Sequence, residues 1–327
     1  MAQARLNPGK GRLAPKKRKR LSLDDVQLFL LSLPTAIWYF CFCYLPMFGI
    51  VIAFKNYKAA PGQGFLYNLF VNSKWVGFDN FTFLFKTNFA YTIFRNTIAY
   101  NVVFIILGVV VPVTLAIMIS ELYSKRLAKT AQTAMFLPHF LSWVVVGYFV
   151  FAFLSTDKGF VNNLIRSLGG TPVRWYLEPR YWPFILVFLQ MWKTVGYGMV
   201  VYLASINGID GTLYEAAVID GASKGQQVRF ITLPQLRPII SIMFIMAVGR
   251  IFFSDFGLFY RAPQNSNSLK DVTQTLDVYV YNALFNSSMP QYNYASAAGL
   301  LQSVLGCITL LSANLIVKRI DEDSSFF

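Results

Sequence analysis

Residues 207–235 read NGIDGTLYEAAVIDGASKGQQVRFITLPQ and separate two long apolar stretches of the chain. Small and apolar residues give the first half of this stretch a compact face, and Glu215 and Asp220 make it acidic. Gly221 permits a sharp change of direction, because glycine reaches backbone conformations that other residues avoid. We therefore predict two short helices that meet at Gly221, the second of which ends at Pro234.

The chain around this stretch is far more apolar than a soluble protein. Of its 327 residues, 55% are hydrophobic and only 13% are charged, whereas soluble domains carry about 25% charged residues. A helix of about 20 apolar residues spans the hydrocarbon core of a bilayer. Six segments qualify: 28–54, 97–119, 132–154, 183–206, 236–258 and 295–317. Backbone groups cannot stay unpaired in lipid, so we predict an all-α integral membrane protein with six transmembrane helices.

The positively charged residues are distributed as expected for a membrane protein with a cytoplasmic side, and they are not clustered as in a nucleic-acid-binding face. The net charge is +14, but eight of the 29 Lys and Arg residues lie in the first twenty positions, within a basic tail of residues 1–27. Loops on the same predicted side are denser in Lys and Arg than the loops opposite, and such residues are retained in the cytoplasm. We expect both termini and residues 207–235 to be cytoplasmic. Membrane lipid is the expected partner of the tail, and nucleic acid is not.

The order of residues in 207–235 resembles the EAA loop of ATP-binding-cassette (ABC) importer permeases. The matching elements are Glu215-Ala216-Ala217, Asp220-Gly221-Ala222, and an Ile-x-Leu-Pro sequence that begins at Ile231. In that family the loop is a coupling helix that docks in a cleft of the ATPase subunit, and the fold is the type I importer permease fold. The resemblance implies these ATPase-coupling residues: Tyr214, Glu215, Ala216, Ala217, Asp220, Gly221, Ala222, Leu233 and Pro234.

Other segments narrow the resemblance to one branch of these permeases. Segments that begin at Tyr44, Trp75, Leu137 and Tyr202 are similar to polysaccharide and oligosaccharide permeases, a branch that includes one subunit of alginate importers. The resemblance covers a permease domain of residues 28–327. It implies a subunit of the bacterial cytoplasmic (inner) membrane that imports an oligo- or polysaccharide, with acidic saccharides such as alginate among the candidates.

The same resemblance implies that energy is supplied by other chains. No GxxxxGK(S/T) phosphate loop occurs, so this chain does not cradle ATP by that device. We expect a non-catalytic subunit without a cofactor of its own. The implied partners are an ABC ATPase dimer that carries ATP and Mg²⁺, a second homologous permease, and an extracytoplasmic carbohydrate-binding protein.

Polar residues inside the predicted spans mark a candidate substrate pathway. An ionisable group at the bilayer centre costs at least about 2.5 kcal/mol on insertion scales, so it normally faces a cavity or a partner. The residues that this criterion selects, with their polar and aromatic neighbours, are Gln190, Trp192, Lys193, Tyr197, Arg250, Phe252 and Asp255. One interpretation is a cavity for a hydroxyl-rich or anionic sugar, with Trp192 or Phe252 stacked on a ring. The alternative is an ion pair of Asp255 with Lys193 or Arg250 that holds two helices together.

Two other classes of function compete with an ATP-driven importer. A secondary transporter or channel independent of ATP would not explain the acidic loop, and the sequence has no half-to-half repeat of the kind such proteins show. An intramembrane enzyme would need a catalytic set, but the chain has one histidine and neither HExxH nor GxSxG. That histidine, His139, has no acid or cysteine at metal-ligand spacing, so no metal site is predicted.

Overall fold

A computed structural model of the chain describes residues 23–287 and 290–320. Residues 1–22 of the predicted basic tail lie outside the described residues. Contacts between Cα atoms divide the chain into two units, residues 1–50 and residues 51–327.

The described part of the first unit, residues 23–50, is a single helical segment with almost no buried side chains. It begins with α1 (Leu23–Tyr39), so the predicted boundary between tail and first span at residue 27 falls inside a helix. A π-helical turn at Phe40–Tyr44 and a 3-10 segment at Leu45–Phe54 continue it beyond residue 50. Apolar side chains are exposed all around it, Phe48 by 72% for example. Such a surface is stable in lipid and unstable in water.

The second unit is built almost entirely from helices. They are α2 (Phe65–Tyr67), α3 (Phe83–Lys86), α4 (Asn88–Ser120), α5 (Lys125–Phe136), α6 (Trp143–Leu154), α7 (Phe160–Ser167), α8 (Trp182–Asn207), α9 (Gly211–Ile219), α10 (Lys224–Gln227), α11 (Leu233–Gly249), α12 (Phe256–Arg261), α13 (Lys270–Thr273), α14 (Leu276–Phe285) and α15 (Tyr292–Ile320). Shorter 3-10 or π turns lie at Asn68–Asn72, Asp79–Phe81, Leu137–Phe140, Trp175–Leu177, Pro179–Tyr181, Val228–Thr232 and Asn267–Leu269. Two antiparallel strands, β1 (Lys55–Asn56) and β2 (Lys74–Trp75), pair Lys55 with Trp75.

Within the described residues, five helical segments are long and apolar enough to cross a membrane. They are Val26–Phe54, Asn88–Ser120, Pro179–Asn207, Lys224–Gly249 and Tyr292–Arg319. A bent pair, Lys125–Phe140 with Trp143–Leu154, gives a sixth if it is counted as one span. The predicted all-α membrane fold is confirmed, and the cytoplasmic location of the termini stays a prediction.

The third predicted span, 132–154, is sharply bent rather than continuous. Its two arms meet at 98°. Pro138 has no N–H for the helical ladder, and Leu141 takes an extended conformation with ψ 133°. Ser142 then starts α6 afresh, because its Oγ accepts the N–H of Val145 at 3.3 Å.

The fifth predicted span, 236–258, differs from the structure at both ends. Pro234 does not end the helix before it, because Lys224–Gly249 is one continuous helical segment. The π turn Val228–Thr232 widens the helix just before Pro234 and so accommodates the missing N–H. At the other end α11 stops at Gly249, and the six residues 250–255 separate it from α12.

Three clusters of buried side chains hold the second unit together. The largest joins α4, α6, α8, α12 and α14 around Trp182 and Leu186. A second joins α4, α8 and α11 around Met199 and Tyr202, and the third joins α3, α4, α14 and α15 around Ile93. Because α4 contributes to all three clusters and α8 to two, these helices form the frame on which both candidate sites are placed.

Candidate functional site

The first helix of the predicted coupling loop, α9, is exposed and flanked by acids. Its N-terminus is capped by Asp210, whose Oδ1 accepts the N–H of Thr212 at 3.0 Å, and this bond lowers the pKa of that carboxyl. Glu215 and Asp220 are exposed. Val218 and Ile219 are exposed by 61% and 86%. Apolar side chains this exposed, in a segment that is not itself a span, are typical of an interaction surface.

The turn after α9 depends on the backbone of Gly221. Its φ is +76°, in the left-handed region that glycine adopts without strain. The N–H of Ala222 donates to the carbonyl of Ala217 at 2.8 Å, and the N–H of Gly221 donates to Val218 at 3.0 Å. These two bonds form a Schellman motif, so the carbonyls at the end of α9 are satisfied and the direction of the following chain is defined.

The second half of the loop is fastened to the first by side-chain hydrogen bonds. Ser223 and Gln226 form a capping box at the start of α10. The Nε2 of Gln227 donates to the carbonyl of Ala222 at 3.1 Å. The hydroxyls of Tyr214 and Thr232 lie 2.9 Å apart and join α9 to the π turn that follows α10. Hydrogen bonds therefore brace residues 211–232 as one unit, the α9–α10 body, and Leu233 and Pro234 lie at its junction with α11.

Residues 250–255, between α11 and α12, leave their polar backbone groups to be satisfied by neighbouring helices. Asn101 of α4 donates from Nδ2 to the carbonyls of Ile251, at 2.8 Å, and Phe253, at 3.1 Å. Gln302 of α15 donates to the carbonyl of Phe252 at 2.8 Å. Non-helical backbone at membrane depth is tolerated where protein groups or a cavity satisfy it, so these bonds account for the break.

The carboxylate of Asp277 in α14 is the main acceptor at this break. Its Oδ2 accepts the backbone N–H of Ser254 at 2.7 Å and the side-chain amide of Gln302 at 3.1 Å, and it lies 2.8 Å from the Oγ of Ser254. Hydrogen bonds to a charged acceptor are roughly twice as strong as neutral ones. Asp277 therefore fixes the conformation from which Arg250 and Asp255 project.

We expect Asp277→Asn to destabilise the protein although it preserves the shape of the side chain. Weakening bonds to a charged acceptor costs about 1–3 kcal/mol, which lowers the midpoint of thermal unfolding by roughly 2–10 °C in a chain of this size. The measurement is thermal unfolding of the purified protein in detergent. Asp271→Asn is the control, because Asp271 is exposed on the neighbouring α13 and only its backbone carbonyl has partners. Equal midpoints for the two variants would contradict this role.

A polar cavity of about 550 Å³ opens beside the break. Its lining includes three of the predicted pathway residues, Gln190, Arg250 and Asp255, together with Asn101 and Phe253. Arg250 is exposed and pairs with no acid in the part of the chain that the structure describes. The Oε1 of Gln190 is buried without a hydrogen-bond partner. The cavity therefore offers a free guanidinium and an amide to a ligand.

The ion pair considered for Asp255 is not formed within the described residues. Asp255 accepts the indole N–H of Trp143 at 2.7 Å and caps α12 through the N–H of Gly257 at 2.9 Å. Lys193 instead donates to the carbonyl of His139 at 2.9 Å and lies 5.5 Å from the ring of Trp143. The ion-pair alternative is wrong for the described residues, because Asp255 and Lys193 each have a different partner and Arg250 pairs with no acid.

Two further predicted pathway residues, Trp192 and Tyr197, are not in the lining of the polar cavity, and the backbone of Phe252 belongs to the break beside it. Trp192 lines a separate apolar cavity of about 500 Å³ with Phe149 and Phe188. Tyr197 stacks on His139, with ring centroids 5.0 Å apart. No group of three or more His, Cys, Asp or Glu residues is placed to hold a metal ion in the described ranges.

Four residues that support the break were missed by sequence reasoning: Asn101, Trp143, Asp277 and Gln302. Asn101 and Gln302 lie inside predicted spans, so a search for amides as well as charges would have found them. Asp277 lies between predicted spans, and nothing local distinguishes it from a solvent-exposed carboxylate.

The pattern that defines one transport family, the "Binding-protein-dependent transport system inner membrane component", matches residues 108–322 of this chain. The chain belongs to that family. It is therefore a multi-pass permease of the bacterial inner membrane and a non-catalytic transport subunit. The matched range contains the α9–α10 body and the helices α11, α12, α14 and α15, which meet at the break.

Similar proteins of known sequence or structure cover nearly the whole permease. The chain is 32% identical over 314 residues to the polygalacturonan/rhamnogalacturonan transport system permease protein YteP of Bacillus subtilis, covering 95% of this chain and 94% of that one. A crystal structure of a bacterial ABC transporter involved in the import of the acidic polysaccharide alginate contains a chain that is 32% identical, with a TM-score of 0.81, covering 91% of this chain and 97% of that one. A second structure shows the bacterial alginate ABC transporter in complex with an alginate pentasaccharide-bound periplasmic protein, and its matching chain has a TM-score of 0.80.

Proposed function

We propose that this permease forms half of the path by which an ATP-driven importer carries an acidic oligosaccharide across the inner membrane. The observation that carries the proposal is the polar cavity beside residues 250–255, where Arg250 has no acidic partner within the described residues. A guanidinium binds a carboxylate through paired hydrogen bonds. The relatives named above transport polygalacturonan or alginate, which carry one carboxylate on each uronate ring.

The α9–α10 body couples the cavity to ATP hydrolysis in this proposal. Its exposed face carries Glu215, Ile219 and Asp220 on a scaffold braced by the turn at Gly221. This face is suited to insert into a cleft of an ATPase subunit. The helix that begins at Lys224 continues without interruption to Gly249, next to the break. Motion of the docked body would therefore reach Arg250 through one continuous helix.

The proposed assembly needs four kinds of partner for this chain. A second homologous permease completes the path, an ATPase dimer binds ATP and Mg²⁺, and an extracytoplasmic binding protein delivers the saccharide. Lipid surrounds the exposed apolar helices. ATP binding closes the ATPase dimer and opens the permease pair outward, and hydrolysis returns it. Each state must bind a partner differently, because a ligand shifts an equilibrium only by its differential affinity.

Uptake by sealed vesicles tests this function. Wild-type importer is reconstituted with its ATPase and binding protein, and accumulation of radiolabelled trigalacturonate is measured with ATP inside or outside the vesicle. We expect accumulation that requires ATP on the ATPase side and binding protein on the other, and that survives ionophores. Accumulation that collapses with ionophores and needs no ATP would instead indicate a secondary transporter.

A further inference from the structure

A second, smaller pocket lies at the far end of α12 from the polar cavity. Its volume is about 260 Å³, and its lining includes Tyr148, Tyr260, Arg261, Gln264 and Asn265. Ligand pockets for small molecules are typically about 300–1,000 Å³. This pocket is slightly smaller than that range, a size that suits a single sugar ring.

Close packing of α6 against α12 builds one wall of the pocket. Gly147 is buried, and a Cβ placed on it would lie 2.9 Å from the carbonyl oxygen of Arg261. Only glycine allows the two backbones to approach this closely. The exposed Tyr148, which follows Gly147, lines the same pocket as Arg261.

An unusual turn builds the opposite wall. Gln264 and Asn265 have φ values of 54° and 49°, and they are the two non-glycine residues with positive φ in the described ranges. This conformation costs a residue such as glutamine about 1–2 kcal/mol, whereas asparagine adopts it more readily. The turn is held by the N–H of Asn265, which donates to the carbonyl of Tyr260 at 3.1 Å, and by the amides of Asn265 and Asn282, 3.3 Å apart. Strain maintained in this way is concentrated at ligand sites.

The chemistry of the lining is that of a site for an anionic sugar. The guanidinium of Arg261 lies over the ring of Tyr260, 5.3 Å from its centroid, and forms no ion pair within the described residues. Among the described residues, no carboxylate lines the pocket. Two phenol rings offer flat apolar faces, the amides offer donors and acceptors for hydroxyl groups, and the guanidinium matches a carboxylate.

We propose that this pocket is a subsite for a single uronate ring, held through its carboxylate by Arg261, on the outward side of the polar cavity. The six residues of α12 span about 9 Å, so Arg261 lies roughly that far along the helix from the start of α12, next to Asp255 in the polar cavity. A uronate chain then meets two guanidinium groups in succession. The place of this subsite on an inward transport path rests on the proposed function. The choice of a uronate as its ligand rests on the pocket alone.

Two monosaccharides test the subsite, because they differ only at C6, where one has a carboxylate and the other a hydroxymethyl group. D-Galacturonate and D-galactose are titrated onto the full importer complex in phosphatidylcholine nanodiscs, and binding is followed by saturation-transfer-difference NMR. All measurements use the Arg250→Gln variant as background, so that the guanidinium of Arg250 in the polar cavity cannot bind galacturonate as well. We expect saturable binding of galacturonate, and Arg261→Gln in that background to weaken it by at least about 10-fold, as the loss of a charge-assisted hydrogen bond implies. Arg261→Lys should be intermediate, and galactose binding should not respond to either change.

Arg180→Gln is the matched control, because Arg180 also lies over a tyrosine ring, at 4.5 Å, but outside the pocket. The subsite would be overturned if Arg261→Gln left galacturonate binding unchanged in the Arg250→Gln background. It would also be overturned if Arg180→Gln reduced that binding as much as Arg261→Gln does. The subsite would also be overturned if phosphatidylglycerol in the nanodisc abolished the galacturonate binding that depends on Arg261. The pocket would then hold a lipid headgroup. If binding depends on Arg261 but vesicle uptake needs no ATP, the proposed function fails and the subsite remains.

Discussion

Uptake is expected to be lost when Gly221 is replaced by valine, and to be strongly reduced when it is replaced by alanine. The space around Gly221 is open, since a Cβ placed there would have no neighbour within 4 Å. The backbone is the obstacle, since φ is +76° and a left-handed conformation costs an alanine about 1–2 kcal/mol. That cost corresponds to a factor of roughly 5–30 in the population of the native turn. A β-branched valine is restricted further.

A substitution at Gly221 is expected to impair transport as well as the local structure, because coupling needs the α9–α10 body to keep its conformation. If the turn relaxes, Glu215 and Asp220 no longer keep their positions relative to α10, and docking no longer moves α11. We therefore expect ATP hydrolysis by the assembled complex to lose its stimulation by loaded binding protein, while the binding protein alone keeps its affinity for ligand.

Gly225→Ala is the matched control for this prediction. Gly225 lies four residues away in α10, has open space around it and does not have a positive φ. Alanine there should leave uptake unchanged, because alanine favours a helix. Wild-type uptake in Gly221→Ala, or equal losses at both positions, would contradict the role assigned to the turn.

Replacing Arg250 by glutamine is expected to lower the rate of uronate uptake at limiting concentration by about 10- to 100-fold, since a charge-assisted hydrogen bond contributes about 1.5–3 kcal/mol. The length and polarity of the side chain are largely preserved, so the loss would report the charge. Uptake is measured with trigalacturonate and with maltotriose, a neutral saccharide of the same length. Any maltotriose uptake should change little.

Lys158→Gln controls for the loss of a positive charge elsewhere, because Lys158 is exposed and lies outside the cavity. Thermal unfolding of each variant separates folding from transport. If Arg250→Gln lowers uptake of both saccharides equally, Arg250 supports the structure and does not select the carboxylate.

The fold could be predicted from sequence to the extent that lipid dictates it. Long apolar runs must form helices in a bilayer, and the predicted spans 97–119, 183–206 and 295–317 lie within α4, α8 and α15. The prediction failed at the two breaks, because local sequence does not show which partners will satisfy an unpaired backbone. Pro234 illustrates this point, since a proline expected to end a helix lies within one, directly after a π turn.

The candidate site shows the same division between local and long-range information. The turn at Gly221 is encoded by residues within a few positions of it, so its geometry could be anticipated. The support of residues 250–255 comes from Asn101, Asp277 and Gln302, far away in the sequence. The strained turn at Gln264 and Asn265 is likewise stabilised by a partner from another helix, Asn282.

Site-specific cross-linking tests most directly the claim that α9 docks on an ATPase. A photoreactive side chain replaces Ile219, which is 86% exposed, and in a matched control replaces Leu168, which is 79% exposed and predicted to face the opposite side of the membrane. After irradiation of membranes that contain the whole importer, the cross-linked partner is identified by mass spectrometry. The proposed coupling predicts that position 219 captures the ATPase subunit and that position 168 does not. Capture of the ATPase from position 168, or of lipid alone from position 219, would contradict it.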